Sequence, residues 1–258
     1  MSLEARGAVV TGGGRGIGAA VARSLAEAGA SVVVCARTER EIEVIADELS
    51  SAGKRAWAVP CDVTDPKSVR AMAEAALKRL ESVDILVNSA GMAFSAPVHK
   101  MTLQDWNRLL AVNATGTFLC TQALLPGMVE RKWGRVINIA SVAAKSGAKY
   151  ISGYAASKHA VLGFTRSVAE EVAASGITVN AVCPGYVDTE MTRESLERIV
   201  ASTGLSYEEA LAAILDTTPQ KRLITPEEVA AAVVWLCGDS AGGVNGQPIV
   251  MDGGGLRA

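Results

Sequence analysis

Histidine is nearly missing from this chain of 258 residues: it has two, His99 and His159, and neither has a second ligand at metal-binding spacing. A protein-bound metal site is therefore not expected. Cysteine is scarce and odd in number, five in all, with no CxxC pair, and most sit beside apolar neighbours, as in VVVCA and AVCP. That usage speaks against a disulfide framework and for small buried hydrophobes in a reducing compartment. Neither sign of charge dominates, with a formal net charge of −2 and 20% charged residues. Such a balance leaves no polyanion-binding surface, so nucleic acid is not an expected partner. No uninterrupted apolar run reaches the roughly 18 residues that cross a bilayer. The opening MSLEARGAVVTGGG has no apolar region ahead of a cleavage site. A cytoplasmic protein that neither enters a membrane nor binds nucleic acid is the expectation.

What the chain does have is 49% hydrophobic residues arranged in regular alternation. Short β-branched runs are predicted as strands at 8–11, 31–35, 55–59, 84–88, 135–140, 178–183 and 248–251. SVVVC at 31–35 shows no polar alternation, the mark of a strand buried on both faces. Helical segments separate the strands. One opens in TGGGRGIG and runs to about residue 29, and another spans 39–51. Asp65-Pro66 caps a third that runs to about residue 80. Thr102 caps a long helix expected to break or bend near Pro126. A helix from about 153 to 174 follows, and Thr225-Pro226-Glu227-Glu228 starts another with a capping residue and an acidic first turn. Strands alternating with helices of this length imply βαβ units. The fold class is α/β: a single-domain, doubly wound Rossmann fold over 1–258, its mainly parallel sheet flanked by helices on both faces. The one irregular piece, 188–224, is expected to carry two short helices at 195–201 and 207–216 and to cover the substrate.

Three functional groups lie close together in SVAAKSGAKYISGYAASK: the hydroxyl of Ser141, the phenol of Tyr154 and the ammonium of Lys158. At i and i+4 on a helix, Tyr154 and Lys158 share a face with Cβ atoms about 5–6 Å apart. The cation should lower the phenol's pKa, so that Tyr154 can act as a general acid and base. Upstream, the turn from the first strand into the first helix carries Gly12, Gly14, Gly16 and Gly18 around Arg15 and Ile17. Glycine there permits a tight turn and close approach of a pyrophosphate, and the helix N-terminus offers free N–H groups. The second strand ends in Cys35-Ala36-Arg37-Thr38, without the carboxylate that would hold a ribose 2′-hydroxyl. Arg37, helped by Arg15, is suited to a 2′-phosphate, which favours NADP(H) over NAD(H), although Glu39 and Glu41 could blunt the field. Asp62-Val63 is placed to meet an adenine edge. Asn88-Ser89-Ala90-Gly91, Ser141 and Pro184-Gly185 each follow a strand, so all of these residues are expected on one edge of the sheet.

On these residues the chain resembles the classical short-chain dehydrogenase/reductase family, and within it bacterial 3-oxoacyl reductases and polyketide ketoreductases. The match covers nearly the whole length. The family's TGxxxGxG is Thr11-Gly12 through Gly18, its NAG-type motif is Asn88-Ser89-Ala90-Gly91, and its YxxxK is Tyr154 to Lys158 with Ser141 upstream. Its PG motif is Pro184-Gly185, followed by Val187 and Thr189. The resemblance implies that Tyr154 is the general acid/base and that Lys158 holds the nicotinamide ribose and lowers the tyrosine pKa. It further implies that Ser141 places the substrate oxygen and that Asn113, inside LLAVNATGTF, holds a water in the proton relay. Ser89 replaces a second asparagine at a position expected to support the sheet, and His159 is expected to be structural. A homotetramer pairing the helices at about 102–130 and 153–174 is also implied.

Substrate identity is less legible. Ala93, Val142 and Ile151 stand where 3-hydroxybutyrate dehydrogenases place polar residues, which points to a larger or less polar substrate. Arg131 and Lys132 suit an acidic carrier protein, but Glu170 reverses the sign of a second expected contact. Three readings follow. One is an NADP(H)-dependent reductase of a 3-oxoacyl thioester, linked to CoA or a carrier protein. The second is a dehydrogenase of a secondary or cyclic alcohol, and the third a non-catalytic NADP(H)-binding regulator.

Overall fold

The computed structural model describes residues 2–256. Its strands, among the described residues, form one seven-stranded parallel sheet in the order β3-β2-β1-β4-β5-β6-β7. They are β1 (Gly7–Thr11), β2 (Ser31–Ala36), β3 (Ala56–Pro60), β4 (Ile85–Asn88), β5 (Gly134–Ile139), β6 (Ile177–Pro184) and β7 (Pro248–Met251). β1, β4, β5 and β6 are buried along their whole length, which is why they read as apolar runs rather than as alternating patterns. Parallel pairing sends every connection back over a face of the sheet, so every strand's carboxyl end lies at the same edge. The strand order reverses between β1 and β4, where Thr11 pairs in register with Asn88. That reversal is where this fold opens a crevice for ligands.

The connecting helices are α1 (Gly16–Glu27), α2 (Glu39–Ser51), α3 (Pro66–Leu80), α4 (Leu103–Leu110), α5 (Gly116–Arg131), α6 (Ser152–Val172), α7 (Glu190–Thr203), α8 (Tyr207–Asp216) and α9 (Pro226–Cys237). One core lies under α1, α2 and α9, with Leu25, Ile42 and Leu236 fully buried on Val10, Val34 and Ile137. The other lies under α3, α5 and the C-terminal part of α6, with Met72, Met128 and Val168 on Val9, Val33 and Leu86. Each such side chain contributes about 1.5–3 kcal/mol of burial. All five cysteines are buried and unpaired.

Helix ends agree with their signals. Asp65 caps α3 through the Lys67 N–H at 2.9 Å, and Thr102 caps α4 through the Asp105 N–H at 3.0 Å. Thr225 and Glu228 form a reciprocal capping box at α9. Two expectations fail. The long helix does not break at Pro126, which sits inside α5; Gln122, whose carbonyl loses its amide partner, is exposed to water. The irregularity is instead a π-turn at Ala111–Thr115, centred on Asn113. The first helix of the 188–224 segment is also longer than expected, running over Glu190–Thr203. Its polar TEMTRES start has weak propensity, but Thr192 Oγ1 donates to the Val187 carbonyl at 2.6 Å and holds the first turn.

The continuous helical run from Leu103 to Arg131 is 29 residues long, with an apolar window of mean hydropathy 1.3, enough to cross a bilayer by length and composition. Counting uninterrupted apolar residues misses it because Asn113, Thr115, Thr117 and Thr121 punctuate the run. Its inner face, including Cys120, Leu124 and Met128, is packed in the core under the sheet.

Replacing Thr225 with alanine removes one half of the α9 capping box. The variant is expected to lose about 1 kcal/mol in urea-induced unfolding, read as a lower midpoint at unchanged slope.

Candidate active site

The β1–α1 turn forces the backbone close to itself and to its neighbours. Gly12 has φ of +64°, and a Cβ there would lie 2.7 Å from the Ala90 Cα. A Cβ at Gly18 would lie 2.1 Å from the Gly12 carbonyl oxygen. No side chain caps α1, whose N-cap is the extended Arg15, so the N–H groups of its first turn face outward. Thr11, which is buried, accepts hydrogen bonds at its hydroxyl from the N–H groups of Ser89 and Ala90, both at 3.2 Å. It thereby binds the loop after β4 to the glycine turn. These features make a backbone cradle for a pyrophosphate, and the residues fit a dinucleotide.

Around this cradle the expected cofactor residues divide. Arg37 follows the last residue of β2 and is exposed. Arg15 is ion-paired with Glu190, the first residue of α7. Thr189 packs close to Gly16, 3.2 Å from where a Cβ would sit. Val187 is buried and pairs with Ile224. Pro184 ends β6, and the Gly185 N–H donates to the Met251 carbonyl at 2.9 Å. Asp62 accepts from the Thr64 N–H at 2.9 Å and the Thr64 hydroxyl at 2.7 Å. Burial pushes its carboxyl pKa up, but these bonds and the Arg37 charge prevail and lower it. Val63 is buried against Gly116. The Asn88 amide is turned into the sheet, donating to Thr121 Oγ1 at 3.1 Å and Asn138 Oδ1 at 2.8 Å. Asn138 continues this buried line to Thr165 on α6 at 2.9 Å. The sheet support expected of Ser89 is thus made by Asn88.

The four candidate catalytic residues come from three elements and meet at one place. Ser141 follows β5, Tyr154 and Lys158 lie on α6, and Asn113 lies in the π-turn. A Cβ at Gly91 would stand 3.4 Å from Asn113 Oδ1 and 3.6 Å from Lys158 Nζ. The Asn113 amide accepts from the Met92 N–H at 2.9 Å and donates to the Met92 carbonyl at 3.0 Å and to Ser157 Oγ at 2.9 Å. Ser157, fully buried, donates in turn to the Tyr154 carbonyl at 2.7 Å. The Ser141 hydroxyl oxygen accepts from the Ala143 N–H at 3.1 Å, and its proton is turned to the Tyr154 phenol. His159 is exposed, its Nδ1 2.9 Å from the Ala155 carbonyl oxygen.

One electrostatic expectation is overturned. Tyr154 stands above the ordinary tyrosine pKa: burial of the phenol disfavours the phenolate and outweighs the opposing hydrogen bond from Ser141. The lysine does not reverse this. Its Nζ lies 5.8 Å from the centre of the Tyr154 ring and donates to the Ile139 carbonyl at 2.8 Å. Burial pushes Lys158 itself down to about 8. Shared helical spacing brought the two onto one face, but desolvation dominates both titrations.

Sequence reasoning passed over Ser157, Asn138 and Thr165 as partners of the site. The only signal for Ser157 was its place beside Lys158 in YAASK, and nothing local marks a long-range polar chain. Glu190 was likewise missed, because its partner is 175 residues away.

The depressed Lys158 pKa has a consequence for stability. Between about 8 and the unfolded value of 10.5 the unfolded chain binds more protons than the folded one, so stability rises with pH there and falls as pH drops through 8. Relative to Lys158→Met, the protein as it stands should gain about 2 kcal/mol from pH 7 to pH 10. Parallel pH profiles of urea unfolding for the two proteins would expose a constant difference if the ammonium were not desolvated.

Comparison with known proteins agrees with this geometry. Residues 6–199 match the short chain dehydrogenase family. D-beta-hydroxybutyrate dehydrogenase of Rhizobium meliloti is 38% identical over 96% of this chain and 97% of that protein. The 3-oxoacyl-[acyl-carrier-protein] reductase of Vibrio cholerae is 37% identical over 98% of each. Among solved structures, a variant of actinorhodin polyketide ketoreductase with NADPH superposes with a TM-score of 0.94 at 38% identity, covering 98% of both chains. With this sheet order, glycine turn and Tyr154–Lys158 helix, the chain belongs to the short chain dehydrogenase family of oxidoreductases.

Proposed function

We propose that the protein is an NADP(H)-dependent carbonyl reductase acting on a 3-oxoacyl thioester or a related β-keto compound. The observation that carries this reading is the meeting of Lys158 and Asn113 beside Gly91, with the Tyr154 ring near Lys158 and its phenol hydrogen-bonded by Ser141. A bound nicotinamide would supply or accept the hydride. Tyr154, protonated at neutral pH as any phenol is and held so by burial, gives its proton to the substrate oxygen during reduction and takes one during oxidation. When substrate binds, Ser141 would turn its proton from the Tyr154 phenol to that oxygen and hold it in line. Lys158, with a pKa of about 8, is mostly charged at pH 7 and sits where it can bind a ribose hydroxyl and replenish the phenol's proton. Asn113 fixes the π-turn as one end of the relay. Gly12, Gly14, Gly16, Ile17 and Gly18 would hold the pyrophosphate. Asp62 and Val63 would meet the adenine, and Asn88 to Gly91 and Pro184 to Thr189 the nicotinamide half.

Cofactor choice rests on Arg37 and Arg15, with no carboxylate at the end of β2. For the thioester's carrier, the surface favours CoA. Arg131 is committed inward, donating to the Val83 carbonyl at 2.6 Å with its Nε 3.6 Å from Asp84, and Glu170 presents an exposed negative charge. Lys132 beside Arg131 is exposed, so an acidic carrier protein would find one of the two basic contacts it needs but not the other. The apolar Ala93, Val142 and Ile151 and the exposed Tyr186 and Met191 suit an acyl chain better than a small hydroxy acid. The α7–α8 arm would cover that chain. Exposed Leu103 and Phe118 support pairing of α4, α5 and α6 in a homotetramer. Oxidation of a secondary alcohol by the same four residues is the second reading, supported by the hydroxybutyrate dehydrogenase likeness.

Tyr154→Phe should lower kcat for NADPH oxidation with acetoacetyl-CoA by about 10²–10⁴-fold while NADPH still binds; an unchanged kcat would sink the mechanism. Arg37→Asp should shift the kcat/KM ratio toward NADH about tenfold or more. An unaltered ratio counts against a 2′-phosphate site.

A further inference from the structure

The Arg15–Glu190 pair joins two regions with different duties. Arg15 is the N-cap of α1, in the glycine turn, and Glu190 is the first residue of α7, which carries the α7–α8 arm. The two regions touch, since the Thr189 methyl lies 3.2 Å from the Cβ position of Gly16. Among the described residues Glu190 is the ion-pair partner of Arg15, whereas Arg37 forms no such pair. The guanidinium that should help hold a 2′-phosphate is therefore already held by a carboxylate of the arm. Side-chain exposures of 59% and 55% make this a weak, exchangeable contact. A phosphate dianion offers more charge and more acceptor oxygens than a carboxylate and can displace it.

We propose that Glu190 is a specificity-determining residue for the cofactor: it latches Arg15, and the latch opens only toward a nucleotide that bears a 2′-phosphate. This rests on the NADP(H) reading above. The latch has two consequences. Glu190 weakens NADPH binding by competing for Arg15 and leaves NADH, which has no phosphate to offer, unaffected. Recruitment of Arg15 to the cofactor also frees the first turn of α7, linking occupancy of the phosphate site to mobility of the arm that flanks the substrate.

The test is a thermodynamic cycle on the full chain, with dissociation constants of NADPH and NADH measured by cofactor fluorescence. Glu190→Gln keeps the size and helical position of the side chain but removes the charge. It should tighten NADPH about two- to fivefold and leave NADH within error. The tightening should vanish in an Arg15→Ala background, because the latch acts through Arg15. Equal tightening of both cofactors would place Arg15 on the shared pyrophosphate and overturn the proposal. So would no change, or a gain that persists without Arg15, which would mean simple repulsion by Glu190. The wild-type ratio of the two constants reports separately on the NADP(H) reading. A chain that binds NADH more tightly refutes that reading, whereas NADPH preference with an unmoved ratio in Glu190→Gln refutes the latch alone.

Discussion

A buried amide that must find partners sets the geometry of this site. Asn113 is 1% exposed, and its side chain is satisfied by the Met92 backbone on one side and Ser157 on the other. Leaving such a group unpaired would cost about 1–3 kcal/mol. The π-turn at Ala111–Thr115 brings the amide to those partners where a regular helix would carry it past them. Through Met92 the amide holds the loop after β4, and through Ser157 it holds the turn of α6 that bears Tyr154. The loop after β4 and the turn of α6 bearing Tyr154 are therefore registered by one residue. A second polar line, from Asn88 through Asn138 to Thr165, ties β4 and β5 to the same helix deeper in the fold.

Against that rigid frame, the chemistry depends on how burial competes with charge. Both ionisable groups of the pair are shifted toward their neutral forms, the phenol upward and the ammonium down to about 8. Burial holds the Tyr154 phenol in its protonated form, while the Ser141 hydrogen bond opposes it and so limits the shift. Lys158 turned to the Ile139 carbonyl is the arrangement that desolvation imposes on an ammonium with no counter-ion beside it. By contrast, the charges that would choose between cofactors lie at the surface, where pairs such as Arg15–Glu190 are weak enough to exchange. The site is thus stiff where protons would move and adjustable where the cofactor's phosphate would be sensed.

The chain by itself determined the parallel α/β architecture, because doubly buried strands must be apolar throughout and the helices between them carry their own caps. It also determined which residues share the carboxyl edge, since in a parallel sheet the end of every strand lies on one side. Tyr154 and Lys158 on one helix face followed from the 3.6-residue repeat alone. Tertiary structure decided the rest. Pro126 was tolerated because the Gln122 carbonyl it leaves without a partner meets water, and the helix deformed at Asn113 because the partners of that amide come from residues 92 and 157. The phenol's pKa went up instead of down because desolvation depends on what packs around a group, which spacing along the chain does not encode. The Arg15–Glu190 and Asn88–Asn138 contacts were invisible for the same reason. They join segments distant in sequence, and only the folded packing brings such groups within hydrogen-bonding reach.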